Sequence, residues 1–224
     1  ELTIITPAAL QTEAERVAQL HREEGLTVAV IEQEKIFNEF SSGTPDASAY
    51  RRLMKMFYDR AEGNENVRPR YLLLFGDGSY NNRKSMEKLH SPECNMLLTY
   101  QSKTSIDERE SFVIEDYFGF LENNSGEEIK VDKVCLGIGR FPISSIKNAR
   151  LVVDKLYRYV HDKDFSSWKN NICIAADDGD EAIHAEQADR GSDTLLLKNT
   201  SQPRLGFRVN KIYIDSYYMD PQTK

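Results

Sequence analysis

Short apolar runs alternate along the first part of the chain with segments whose apolar residues recur every three or four positions. The runs Leu2–Thr6, Leu26–Ile31 and Tyr71–Phe75 are rich in branched and aromatic residues and predict strands. The segments between them, near 7–24 and 44–62, have the spacing of amphipathic helices. Every position from Tyr71 to Phe75 is apolar, which is typical of a strand covered on both faces. The alternation therefore predicts a parallel α/β sheet with flanking helices.

The same alternation returns after a long interval without periodicity. Lys133–Phe141 predicts a strand that joins or adjoins the first sheet, and a long helical pattern follows from about residue 144. Asn171–Ala176 and Arg208–Ile214 predict the beginning of a second sheet, with a helix between them. The interval Ser79 to Ser111 has few apolar residues, so we expect a long loop that is mobile or held by a partner.

Composition and charge narrow the function classes. The chain has 224 residues, with 29 Lys and Arg against 36 Asp and Glu, so the formal net charge is −7. This acidic balance argues against nucleic-acid binding, which needs a basic face. The chain does not begin with Met, and we expect it to be a processed or excised product from which any targeting segment has been lost.

The three cysteines do not form a recognisable chemical motif. Cys94, Cys135 and Cys173 include no CxxC pair, and three thiols spaced this way do not suggest a disulfide framework. Cys135 and Cys173 lie in apolar runs, so we expect both to be buried in strands. None of the three has a His and an acid at the spacing of a nucleophile, and the chain's own residues therefore indicate no assembled active site.

Two polar groups follow predicted strands of the first sheet. Gly76-Asp77-Gly78 comes directly after Tyr71–Phe75, where α/β sheets place their ligands. It matches neither the dinucleotide fingerprint nor a phosphate loop, which leaves Asp77 as a loop anchor or a cation ligand. Arg140, near the end of a later strand, is expected to bind an anion or to pair with a carboxylate.

The densest polar cluster follows the strand Asn171–Ala176. It contains the acidic turn 177–180 together with His184 and Glu186. Asp180 and Glu181 fit the acidic first turn of a helix, where they complement the helix dipole. Asp178 precedes that helix, so its carboxylate could instead orient a catalytic imidazole supplied from elsewhere.

Six segments, in this order and spacing, together resemble the gingipain-type cysteine peptidases, and in particular the sortases of the type IX (Por) secretion system. They are SSGTPDASAYRRLMKMFY, PRYLLLFGDGSYNNR, LLTYQS, EDYFGF, GIGRFPISS and CIAADDGDEAIHAEQAD. The resemblance implies a small gingipain-like α/β subdomain over 1–143. It also implies the start of a caspase-like α/β subdomain over 144–224.

The resemblance also implies an activity that this chain would serve only in part. The sortase removes a C-terminal signal domain from secreted cargo and can attach the cargo to anionic lipopolysaccharide at the cell surface, beside other outer-membrane secretion subunits. It uses a Cys–His pair with an orienting acid. Asp178 matches the acid, while the His and Cys are expected beyond Lys224, so the chain alone should be inactive.

Some members of the family bind calcium, and the position of Asp77 matches one of their ligands. No other cofactor is implied. A second reading stays open at this point: a non-enzymatic α/β module that binds a protein partner or an anion at the ends of the strands.

Overall fold

A computed structural model describes residues 1–217 except 88, 90, 92, 93, 95, 105, 108, 130, 165, 178 and 202–205, and except the side chains of 84–86, 198, 199 and 215. Six strands run through it: β1 (Leu2–Thr6), β2 (Val28–Glu32), β3 (Tyr71–Phe75), β4 (Gly137–Phe141), β5 (Asn171–Ala176) and β6 (Arg208–Tyr213). Its α-helices are α1 (Gln11–Glu23), α2 (Gln33–Phe40), α3 (Ser48–Arg60), α4 (Asn82–Glu87), α5 (Ile146–His161) and α6 (Ile183–Ser201). The chain divides into two compact units, residues 1–161 and 162–224.

The first unit is built on a four-stranded parallel sheet in the order β2-β1-β3-β4. This confirms the prediction that the first three strands form one parallel sheet, and it shows that the fourth strand joins that sheet. Two strand starts lie later than the sequence predicted. β2 begins at Val28 and β4 at Gly137, so Cys135 precedes β4 instead of lying in it.

Successive side chains of each strand point to opposite faces of the sheet, and both faces are covered by other parts of the chain. On one face, Ile4 and Phe75 pack against α1 and α5. On the other, Ile5, Leu72 and Leu74 pack against α2, α3 and residues 89–121. The helix α2 was not expected from the sequence, and its Ile36 and Phe37 are buried in this second layer.

The predicted long loop is anchored to the core by some of its apolar side chains, and its mobility stays a prediction. Leu89, Cys94, Leu97 and Leu98 are buried, and Leu97 and Leu98 belong to the core beneath α3. A parallel bridge pairs Met96 with Asp77, and an antiparallel bridge pairs Gln101 with Val113. The interval has few apolar residues, as expected, but four of them enter the core and anchor it.

The boundary between the two units also differs from the division after residue 143. α5 packs on α1 through Ala149 and Val153, which lie in one core cluster with Ala14 and Val17. Arg16 adds an ion pair from α1 to Asp154 of α5, with Nη2–Oδ1 at 2.7 Å. The helix therefore belongs to the first unit, and the division falls after His161.

The second unit is a strand–helix–strand arrangement. β5 and β6 pair in parallel, with Ala176 opposite Tyr213, and α6 connects them. This is the second sheet that the sequence predicted. Cys173 is exposed on β5, contrary to the expectation of burial, because this sheet has only two strands among the described residues and its side chains stay half covered.

Candidate functional site

The carboxyl end of β3 carries the first candidate residue, Asp77. Its Oδ1 accepts a hydrogen bond from the N–H of Gly78 at 2.9 Å. Its main-chain carbonyl accepts one from the N–H of Leu97 at 2.8 Å. The residue therefore anchors the loop beside it, which is one of the two roles that the sequence left open.

Arg140, on β4, fills the space above this turn. Its Nη1 donates to the carbonyl oxygens of Gly76 and Asp77 at 3.2 and 3.1 Å, and its Nη2 donates to the carbonyl of Leu98 at 3.2 Å. The guanidinium also pairs with the carboxylate of Glu115. Of the two uses predicted for Arg140, the structure shows pairing.

Position 78 favours glycine because Arg140 and Thr99 lie close to it. A Cβ at this position would lie 2.9 Å from Thr99 Cγ2 and 3.2 Å from Arg140 Cζ. Such distances leave no room for a side chain without movement of its neighbours. The second glycine of Gly76-Asp77-Gly78 thus permits close packing at the strand end.

We call residues 96–102 the crest ribbon, because they run beside the carboxyl ends of the strands. Side chains from distant helices hold its backbone. Gln33 Nε2 donates to the carbonyl of Met96 at 2.9 Å, and the N–H of Leu98 donates to the hydroxyl of Tyr50 at 3.3 Å. Tyr50 in turn donates to Gln33 Oε1 at 2.8 Å, and burial raises the pKa of its hydroxyl, which keeps it a donor.

Calcium binding at Asp77 receives no support from its surroundings. The described part of the chain contains no group of three or more His, Cys, Asp and Glu side chains placed to hold a metal ion. The guanidinium of Arg140 donates to the Asp77 carbonyl, and its positive charge would repel a divalent cation at this place.

The second unit carries the acidic turn at the carboxyl end of β5. Asp177 is exposed there and lines a depression of about 740 Å³ with Ile174, His184 and Ile214. His184 Nε2 lies 3.6 Å from Asp180 Oδ2. Asp178, the predicted orienting acid, lies outside the described residues, so its role stays a prediction.

The backbone explains why α6 starts later than the acidic residues suggested. Asp180, Glu181 and Ala182 have φ angles of 54, 59 and 63°, in the left-handed region that non-glycine residues rarely occupy. The helix begins at Ile183, and the acid in its first turn is Glu186. Asp180 and Glu181 thus precede the helix instead of forming its first turn.

The thiols and imidazoles in the described part of the chain do not form a nucleophile–base pair at Cys135 or Cys173. Cys135 Sγ contacts the Lys133 carbonyl at 3.7 Å. The described imidazoles have other partners: His21 bonds Glu24, His161 bonds the Tyr157 carbonyl, and His184 faces Asp180. Cys135 and Cys173 were expected to be buried, but Cys135 is half-buried and Cys173 is exposed, while Cys94 is the buried thiol among the three.

The geometry defines the chain as an α/β protein of two compact units, with polar groups at the carboxyl ends of its strands. The model of Peptidase family C25 matches residues 1–224. The chain therefore belongs to Peptidase family C25, which confirms the family inferred from the six sequence segments. No curated protein matches the chain.

Two solved structures are similar. The crystal structure of dimeric latent PorU from Porphyromonas gingivalis is 42% identical, with a TM-score of 0.65, over 75% of this chain and 16% of that chain. The Arg-specific cysteine proteinase gingipain R (RGPB) has a TM-score of 0.59 over 100% of this chain and 43% of that chain. At 16% identity the second likeness shows a shared fold alone. The chain spans less than half the length of either protein.

Membrane crossing by a helix is not seen in the described ranges. None of their helices is both long and apolar enough to span a bilayer.

Proposed function

We propose that this chain is the amino-terminal part of a cysteine endopeptidase and sortase of the type IX secretion system. The observation that carries the proposal is the 42% identity with PorU, together with the match to Peptidase family C25 along the whole chain. In this proposal the parent protein removes the C-terminal signal domain of secreted cargo at the cell surface. It then transfers the cargo to anionic lipopolysaccharide, beside other outer-membrane subunits of the system.

The chemistry needs a thiolate and an imidazole, which we place beyond this chain. The thiolate attacks the scissile carbonyl and forms a thioester, while the imidazolium protonates the leaving amine. Water or a nucleophilic group of the acceptor then cleaves the thioester. Without those two groups the 224-residue chain is expected to lack peptidase activity.

Within this chain, the proposed contribution is the carboxylate of Asp178. An acid at the end of a strand, before the next helix, can accept a hydrogen bond from an imidazole N–H and stabilise the imidazolium. The exposure of Asp177, the preceding residue, at the carboxyl end of β5 supports this placement.

The test is Asp178→Asn in the full-length protein. Asn keeps the shape but removes the charge, so cargo processing should slow by at least about tenfold with an unchanged thermal midpoint. Asp180→Asn, at an exposed acid that faces His184, is the matched control and should process cargo normally. Normal processing by Asp178→Asn would reject the assignment, and absence of processing by the unmodified protein would reject the proposed function.

The non-enzymatic module is not favoured by any specific observation, because the family to which the chain belongs is one of peptidases.

A further inference from the structure

At Gln101 the crest ribbon has two edges, and one of them is already paired. The N–H of Ser102 donates to the carbonyl of Phe112 at 3.0 Å, and the N–H of Ile114 donates to the carbonyl of Tyr100 at 3.0 Å. These two bonds flank the opposed residues Gln101 and Val113, which therefore form a non-hydrogen-bonded pair of an antiparallel ladder. In such a pair the main-chain N–H and C=O groups point away from the partner strand.

The opposite edge therefore carries the N–H and C=O of Gln101. Within the described ranges neither group has a hydrogen-bond partner, and Gln101 is exposed. Its side chain is engaged elsewhere, because Nε2 donates to the carbonyl of Tyr80. An exposed strand edge with free peptide groups is a template for another extended chain.

The neighbouring position on this edge, Thr99, shows which kind of chemical group the edge can bind. The carboxamide of Asn82 covers Thr99: Nδ2 donates to the Thr99 carbonyl at 2.8 Å, and Oδ1 accepts from the Thr99 N–H at 3.0 Å. A carboxamide has the same donor and acceptor as a peptide group. The edge thus already binds a peptide-like group at Thr99, two residues from the unpaired Gln101.

A cavity beside the ribbon gives room for a side chain. It has a volume of about 380 Å³ and lies between the start of α3 and the crest ribbon. Its lining residues include Asp46, Ser48, Asn82, Tyr100 and Gln101. Among the described residues that line it, Asp46 alone carries a charge, so a neutral or basic side chain fits better than an acidic one.

We propose that the free edge at Gln101 binds an extended polypeptide segment by strand addition. The N–H of Gln101 donates to a carbonyl of the segment, its C=O accepts from an N–H, and a neutral or basic side chain enters the cavity. That the segment belongs to secreted cargo rests on the proposed function. The strand addition itself rests on the ribbon alone.

The ribbon is suited to this role because it does not have to be ordered on binding. Bonds from Gln33, Tyr50 and Arg140 fix its backbone before any ligand arrives. A preorganised edge avoids the entropy cost that a mobile loop would incur.

The test combines amide hydrogen exchange with two substitutions at one position. The probe is a twelve-residue peptide that copies the residues directly before a cargo signal domain, and a scrambled peptide of the same composition is its control. Binding of the probe to the unmodified chain should slow exchange of the Gln101 amide at least about tenfold. The Ser102 and Ile114 amides, already bonded within the ribbon, should change little.

Gln101→Pro removes the N–H and the side chain, whereas Gln101→Ala removes only the side chain. Proline is tolerated on a strand edge whose N–H faces outward, so both variants should fold. Gln101→Pro should bind the probe about fivefold more weakly than Gln101→Ala, which is the scale of one backbone hydrogen bond.

Each outcome has a defined meaning. Equal affinities of the two variants, binding without protection of Gln101, or no binding at millimolar peptide would each overturn the strand addition. Protection by the scrambled peptide as well would support strand addition to polypeptides in general. Cargo processing by the full-length protein is measured in parallel, so that failure at Gln101 with normal processing rejects the edge proposal and leaves the proposed function standing.

Discussion

The guanidinium of Arg140 meets the carboxylate of Glu115 at two points, with Nε–Oε1 at 2.8 Å and Nη2–Oε2 at 3.2 Å. Their side chains are 12% and 27% exposed, so the pair is shielded from most of the solvent. The same guanidinium holds the carbonyls of Gly76, Asp77 and Leu98. One side chain therefore links β4 to the end of β3, to the crest ribbon and to the segment before residue 116.

Replacement of Arg140 should be costly. Arg140→Ala removes the guanidinium from the Glu115 carboxylate and from the carbonyls of Gly76 and Leu98, whereas the Asp77 carbonyl keeps its hydrogen bond from the Leu97 N–H. We expect a loss of about 3 kcal/mol in the free energy of unfolding. Arg52→Ala is the control, because its pair with Asp46 is exposed and should contribute less than about 1 kcal/mol. Urea unfolding of both variants measures the difference, and similar losses would contradict the central role of Arg140.

Two glycines offer a matched test of packing at the strand ends. Gly78→Ala places a methyl group against Thr99 and Arg140, and should destabilise the chain by about 1–3 kcal/mol. Gly139→Ala meets no atom within 4 Å and should leave stability unchanged or slightly higher. Thermal midpoints of the two variants decide the point. Equal midpoints would show that the turn at Gly78 adjusts freely.

The hydroxyl of Tyr50 should determine how firmly the crest ribbon is held. Tyr50→Phe leaves the Leu98 N–H and Gln33 Oε1 without this partner, which should cost about 1–3 kcal/mol. Amide exchange at Leu97, Leu98 and Thr99 should be slow in the unmodified chain and faster in this variant. Tyr100→Phe, at a tyrosine whose ring stacks on Tyr117, is the control. Rapid exchange of all three amides in the unmodified chain would contradict this anchoring and support a mobile loop.

Tyr58 gives a pH-dependent prediction. Its hydroxyl donates to Glu122 at 2.5 Å, and this hydrogen bond, with a smaller contribution from burial, raises the pKa of Tyr58 to about 12. The ordinary pKa is near 10. Because the folded state holds the proton more tightly, the contribution is complete below pH 10 and is lost as the pH rises through 12.

The measurement is the difference in unfolding free energy between the unmodified chain and Tyr58→Phe. This difference should shrink from pH 10 to pH 12. A difference that stays constant across that range would show that the Tyr58–Glu122 hydrogen bond does not shift the tyrosine pKa.

The sheet of the first unit could be predicted because each strand carries its own signal. Tyr71–Phe75 is apolar throughout, and a strand buried on both faces needs no information from elsewhere. α2 was missed because it is short and its apolar positions, Ile36, Phe37 and Phe40, are too few to establish a period. Its length is fixed by tertiary packing, which overrides a weak local pattern.

The anchoring of the crest ribbon could not be predicted for a different reason. Its bonds join main-chain atoms to single polar side chains, Gln33 and Tyr50, that are about fifty to sixty positions away in the chain. The spacing of residues along the sequence does not indicate such a contact. Asp77, in contrast, lies two residues after β3, and Arg140 is the penultimate residue of β4, so their position near the end of the sheet could be inferred.

The carboxamide of Asn82 has a consequence for solubility. A strand edge with several successive free peptide groups would let copies of the chain pair with one another and precipitate. By covering the peptide groups of Thr99, Asn82 shortens the free edge beside Gln101, so fewer free peptide groups remain for pairing between copies of the chain. The Asn82 side chain thus limits the edge available for self-association, while the peptide groups of Gln101 stay accessible to another polypeptide.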